Sequence, residues 1–177
     1  MTHIMPEHQN DAVAIEALLE RAFGKARHRK TVQKMRKAFL PSEGLAFVMT
    51  DDFDTVIGTI RLWDIEGENG ARTLLLGPVA VANEYRGQGL GDALIRHSLA
   101  QAQKLGHKGV ILVGDASYYG RFGFTRDLTL QMKLPGPVDE ACFLGLELVE
   151  GGLKDVTALL NITGTLRPKA QPKRKAA

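Results

Sequence analysis

The stretch "YRGQGLGDALIR", Tyr85 to Arg96, sets three glycines within five residues, just ahead of an apolar stripe at helical spacing. Glycines that dense let successive backbone N–H groups converge on one point, and a helix starting there adds about half a positive charge. Such a turn can cradle a phosphate or diphosphate. Two familiar versions fail. No Lys-Ser/Thr pair follows the glycines as in a P-loop, and the third glycine of a dinucleotide-binding turn is Asp92 counted from Gly87, or Leu94 counted from Gly89. What remains is Arg86-x-x-Gly89-x-Gly91 with a helix behind it.

The elements that must hold this turn can be read from periodicity. Ile15, Leu18, Leu19 and Ala22 predict an amphipathic helix, and Val32, Met35 and Phe39 predict a second within "KARHRKTVQKMRKAF". Pro41 and Gly44 close that pair. "LAFVMTDD" and "DTVIGTIRLW" read as a hairpin, followed by the turn "ENGA" and the strand "RTLLLGPVAVAN". Leu74 to Val81 is apolar enough to be buried on both faces, yet Gly77-Pro78 interrupts it. Proline donates nothing to a ladder and glycine marks bulges, so this strand should bend and leave backbone groups unpaired. The stripe Leu90, Leu94, Ile95, Leu99, Ala102 and Leu105 ends at Gly106, and "GVILVG" follows as a short buried strand. Strand, glycine turn, helix and strand make a βαβ crossover, which requires a parallel pair. "LTLQMKL" and "ACFLGLELV" read as two final strands around a Pro-Gly-Pro loop. The fold class is therefore mixed α/β.

From Leu74 to Phe124 these features, in this order, resemble the core of the GNAT superfamily of acyl-CoA-dependent N-acetyltransferases: "LLLGPVAV", "RGQGLG", its helix, "VILVG" and "YYGRFGF". "VGDASYYGRFGF" is similar to the YhbS-type branch in particular. The flanking helices and strands extend the resemblance over about residues 1–150, leaving 151–177 as a C-terminal extension. The resemblance implies a mostly antiparallel sheet whose parallel pair, near 74–81 and 109–114, splays apart, with acetyl-CoA as co-substrate and no metal. It implies that the amides of Arg86, Gly87, Gln88, Gly89, Leu90 and Gly91 hold the diphosphate. It implies further that backbone groups of Val79, Ala80 and Val81 pair with the pantetheine arm, one amide, of Val79 or Ala80, polarising the thioester carbonyl. Tyr119 stands where the family places its general acid, with Tyr118 read as a core aromatic. A phenol with an ordinary pKa of about 10 can protonate a thiolate whose conjugate acid lies near 8.5. The family's frequent asparagine ahead of the tyrosine is Leu112 here. No general base stands out: Glu84, Asp115, His107 and Glu66 read as solvated or capping groups.

Bulk properties limit the alternatives. With 44% hydrophobic and 24% charged residues the chain has the composition of a soluble globule, and no apolar run reaches the roughly 20 residues of a membrane span. Cys142, the only cysteine, reads as a buried thiol in an apolar strand, and the absence of any second one fits a reducing cytoplasm. Five basic residues sit in the last eleven, "RPKAQPKRKAA", so the net +3 describes the tail, read as disordered, and the body carries about −2. Nucleic-acid binding through that tail is the weaker reading. Lys25, Arg27, Arg29, Lys30, Lys34, Arg36 and Lys37 lie where the family shapes its acceptor site. They read as a wet helix face, or as a docking surface for an acidic amine acceptor or carrier protein. A non-catalytic acyl-CoA sensor is the competing function, and a homodimer is common in the family.

Overall fold

The computed structural model describes residues 1–169. Ile15, Leu18 and Leu19, one face of α1 (Ala12–Phe23), are fully buried against a sheet, and the helix stops at Gly24, whose φ of 68° suits glycine at a helix end. The sheet runs β1 (His3–Pro6), β2 (Ala46–Thr50), β3 (Val56–Gly67), β4 (Arg72–Val81), β5 (Gly109–Val113) and β7 (Phe143–Glu147) in spatial order. Two short strands, β6 (Met132–Lys133) and β8 (Ala158–Ile162), pair in parallel with each other, and β8 also lies antiparallel to the end of β3. All the neighbours along the main path are antiparallel except β4 and β5. The expected mixed, mostly antiparallel sheet with one parallel pair is the observed one.

Both faces of the sheet are covered, which explains why its middle strands are apolar without alternation. Leu74 and Leu76 of β4 face a core shared with α1 and with Leu94, Ile95 and Ala102 of α3 (Leu90–Lys104). Leu75 faces the other core, with Trp63, Ile111, Phe143, Leu153 and Leu160. Most of that second layer comes from beyond residue 126, including the segment that the resemblance left out as an extension. The basic tail expected from about residue 167 lies, from residue 170 on, outside the described residues. Its first residue is held, with Arg167 N–H bonded to Ala38 O.

Three local expectations change. Lys25–Arg29 is a 3-10 turn and only Thr31–Arg36 is α-helical (α2), because Gly24 breaks the helix and Arg27 folds back, buried, to pair with Glu16 and Glu20 of α1. "LTLQMKL" is a 3-10 turn, Arg126–Thr129, followed by the two residues of β6. Thr125 caps that turn through Asp127 N, and the buried Thr129 hydroxyl donates to Phe143 O, so local polar bonds override an alternating pattern. Cys142 is half-buried at the end of a 3-10 turn rather than inside a strand, and burial and Asp139 push its thiol pKa up.

Candidate active site

The bend of β4 is a bulge. Ile60 of β3 faces Val79 and Leu62 faces Leu76, so Gly77 and Pro78 together oppose Arg61. Trp63 Nε1 donates to Gly77 O at 2.6 Å in the interior, tying the bulge to β3. Before the bulge β4 pairs with β5 at only two positions, Leu74 with Val110 and Leu75 with Ile111. After it the two strands part, while β5 keeps five paired residues with β7 on its other side. Ala82 N donates to Ile57 O, so the alternation of an antiparallel ladder turns the backbone of Ala80 toward β3. By the same alternation Val79 and Val81 turn theirs toward the gap.

At one mouth of the gap lies the glycine turn. Gly87 and Gly89 hold φ of 78° and 75°, and a Cβ at either would meet nothing within 4 Å: the glycines are required by backbone conformation, in a turn open to its surroundings. No side chain caps the first turn of α3, which leaves its leading N–H groups for a ligand. Gly91 is a matter of space, since a Cβ there would stand 3.0 Å from Tyr118 Oη. Tyr118 Oη donates to Asp92 Oδ1 at 3.1 Å, and Arg121 binds the same oxygen at 3.0 Å while its guanidinium lies 4.6 Å from the Tyr118 ring centre. Burial, then the bond to Asp92, raises the Tyr118 pKa. Tyr118 is thus a strut between α4 (Ala116–Tyr119) and α3.

Tyr119 stands at the junction of two cavities. The first, of about 540 Å³, is bounded by Val79, Ala80, Val81, the turn from Arg86 to Gly91 without Gln88, and both tyrosines. The second, of about 310 Å³, continues past Val79 and Tyr119 to the bulge, Leu112, Arg27, Lys30 and Arg36. Phe23, at the end of α1, borders both. Asp115 caps α4 by accepting from Ser117 N and Tyr118 N. Tyr119 packs edge-on against Tyr118, 4.9 Å between ring centres, and so close to Gly114 that a Cβ there would fall 2.4 Å from its ring. Burial, and secondarily Tyr118, pushes its pKa up to about 12. Its hydroxyl makes no hydrogen bond among the described residues, which leaves the proton available to something in the gap.

Of the expected site residues, all but Gln88, which is exposed in the turn, line the first cavity. None of Glu84, Asp115, His107 and Glu66 lines either cavity: Asp115 is the cap just described and Glu66 pairs with Arg72. Sequence reasoning missed Phe23, Asp92, Arg121 and Gly114. A glycine directly after a buried strand and five residues ahead of the tyrosine was the available signal for the last. Arg36, placed on a wet face, is buried.

The match to known proteins follows the same residues. The family described as acetyltransferase (GNAT) domain matches residues 42–126. The chain is 34% identical over 152 residues to the uncharacterised N-acetyltransferase YhbS of Escherichia coli K12, covering 85% of this chain and 89% of that one. The chain belongs to the GNAT acetyltransferases. The solved structure of Escherichia coli YhbS in complex with CoA superimposes on this GNAT domain with a TM-score of 0.77 at 30% identity, over 92% of this chain and 89% of that one. A GNAT family acetyltransferase of Brucella melitensis, in complex with acetyl-CoA, does so with a TM-score of 0.63 at 30% identity, over 84% and 89%. No helix among the described residues of this GNAT member is long and apolar enough to cross a membrane.

Proposed function

We propose that this GNAT member transfers an acetyl group from acetyl-CoA to a primary amine, by direct attack with both substrates bound. The observation that carries the reading is the parting of β4 from β5 after two paired residues, with the open glycine turn at one mouth and Tyr119 inside. The residues present fit the co-substrate. Five backbone positions, Gly87 to Gly91, offer N–H groups and the α3 dipole to a diphosphate, while the Arg86 N–H is already bonded to Asn83 O. The backbone groups of Val79 and Val81 offer an amide-bearing arm the partners that β5 does not supply. Acetyl-CoA would bring the activated acetyl group. The complexes named above, YhbS with CoA and the Brucella protein with acetyl-CoA, support the assignment.

The alternation of the ladder favours Val79 N–H over Ala80 N–H as the donor to the thioester carbonyl. A donor fixed in advance can lower such a barrier by about 3 kcal/mol. Tyr119 Oη holds the proton that the departing sulfur takes. Its raised pKa keeps the phenol neutral, and the same dry surroundings disfavour both a bare thiolate and a phenolate, so Tyr119 passes its proton to sulfur as the C–S bond breaks and recovers one from the attacking nitrogen, leaving a neutral thiol, amide and phenol. The second cavity contains no carboxylate or imidazole to take the amine's proton. Arg27, Lys30 and Arg36 disfavour an ammonium there, which helps the amine enter neutral.

Titration calorimetry with CoA and acetyl-CoA, followed by thiol release across a panel of amines and peptides, tests the reading. Saturable binding of both, and acceptor-dependent thiol release, are expected. A chain that binds neither overturns the proposal, and one that binds both but releases no thiol with any amine is a sensor instead.

A further inference from the structure

Three arginines are buried behind the bulge, and two have carboxylates. Arg61 is held by Glu7, with both bonds at 2.7 Å, and Arg27 pairs with Glu16 and Glu20. Arg36, only 7% exposed at the end of α2, takes part in no ion pair among the described residues. Its Nε is buried without a partner, and its one hydrogen bond is a long one, 3.3 Å from Nη2 to Gln33 Oε1. The guanidinium carbon lies 5.9 Å from the centre of the Trp63 ring, and Nη1 borders Gly77, where a Cβ would come within 3.1 Å of it. Burial, then the cations of Arg61 and Arg27, drag the pKa of Arg36 down to about 9, the direction expected of a charge kept without a counter-ion, although it remains charged at neutral pH. Desolvating a guanidinium with no anion is costly, so the arrangement calls for an anion from outside the chain.

Arg36 lines the same cavity as Tyr119, and the volume there, about 310 Å³, suits a small molecule. An amine alone would be poorly received among three cations. An amine that brings its own carboxylate would be drawn in, because the planar fork of a guanidinium matches a carboxylate with two parallel bonds. We propose that the acceptor is a small carboxylate-bearing amine, its carboxylate held by Arg36 on the bulge side of Tyr119. This rests on the acetyl-transfer reading and adds the substrate class to it.

The test uses the full chain saturated with CoA. Amino acids, their carboxamides, the matching decarboxylated amines and the matching aminophosphonates are compared by calorimetry and thermal shift. The expected result is that one or more amino acids bind roughly tenfold to a hundredfold more tightly than their carboxamides. That preference should collapse in Arg36→Gln and Arg36→Met, with CoA affinity retained. Arg36→Lys, which keeps the charge but not the fork, should recover part of it. Absence of a carboxylate preference in the wild-type chain overturns the proposal, whether or not the variants fold. So does a preference that survives in variants still able to bind CoA, or tighter binding of the phosphonates. A wild-type chain that ignores CoA overturns the acetyl-transfer reading and this proposal together, whereas one that takes CoA without discriminating among the amines overturns only this one.

Discussion

The two cavities that meet at Tyr119 are built by different means. The larger offers mostly backbone: turn amides, the start of α3 and the unpaired edge of β4, while of its charged residues, Arg86, Asp92 and Arg121, the last two pair with each other. The smaller offers side chains, above all a guanidinium with no counter-ion among the described residues. A backbone cradle is set by chain conformation and tolerates changes around it. A side-chain pocket can change its ligand by changing one residue. The difference suits a protein whose co-substrate is shared with a whole family and whose acceptor is its own.

Substitutions can separate the two ends, and Tyr119, belonging to both, should give the largest effect. Tyr119→Phe is expected to lower kcat by about 10²- to 10⁴-fold while CoA affinity and the carboxylate preference persist. Unchanged turnover would remove the proton-donor role. In the wild type, the pKa of about 12 leaves the phenol protonated through the ordinary assay range, so the rate should climb with pH as the acceptor amine loses its proton. No descending limb from Tyr119 should appear until pH approaches 12. A fall that begins near neutrality and vanishes in Tyr119→Phe would contradict this.

Gly89→Ala addresses the backbone end alone. An alanine in the left-handed region costs about 1–2 kcal/mol, and a turn that relaxes to avoid this should weaken CoA roughly tenfold, leaving amino-acid discrimination intact. If calorimetry shows both ligands affected equally, the ends are not independent. The smallest effect is expected of Asp92→Asn, which removes an acid beside the diphosphate cradle and releases Arg121. CoA should bind about twofold more tightly at low salt, with the gain fading as salt rises and the melting temperature slightly lower. Weaker binding would mean that Asp92 positions the turn instead.

The same contrast explains what could be read from the chain. The glycine turn, the bulged strand and the parallel pair were legible because residue type there encodes a backbone requirement: left-handed φ at Gly87 and Gly89, and an interrupted ladder at Gly77-Pro78. Arg36 was not legible. Seven basic residues in one segment look alike in sequence, and only tertiary contacts show that Arg27 meets two glutamates while Arg36 meets none. β1 and β8, at four and five residues, are too short for periodicity to declare them, and β8 owes its existence to a partner, β3, nearly a hundred residues earlier. Thr129 likewise shows its role only once Phe143 O is beside it.

The placement of β8 bears on how the chain can be cut. Leu160 and Ile162 close the far face over Trp63 and Ile65, and Ile162 lies alongside Ile65. A shortened version ending near residue 150 would uncover that greasy layer and bare the rim of β3. Trp63 would lose its cover, and with it the anchor on the Gly77 carbonyl that keeps the cleft ajar. The described residues beyond 150, none of which lines either of the cavities that meet at Tyr119, are in this sense the wedge that holds the doorway open.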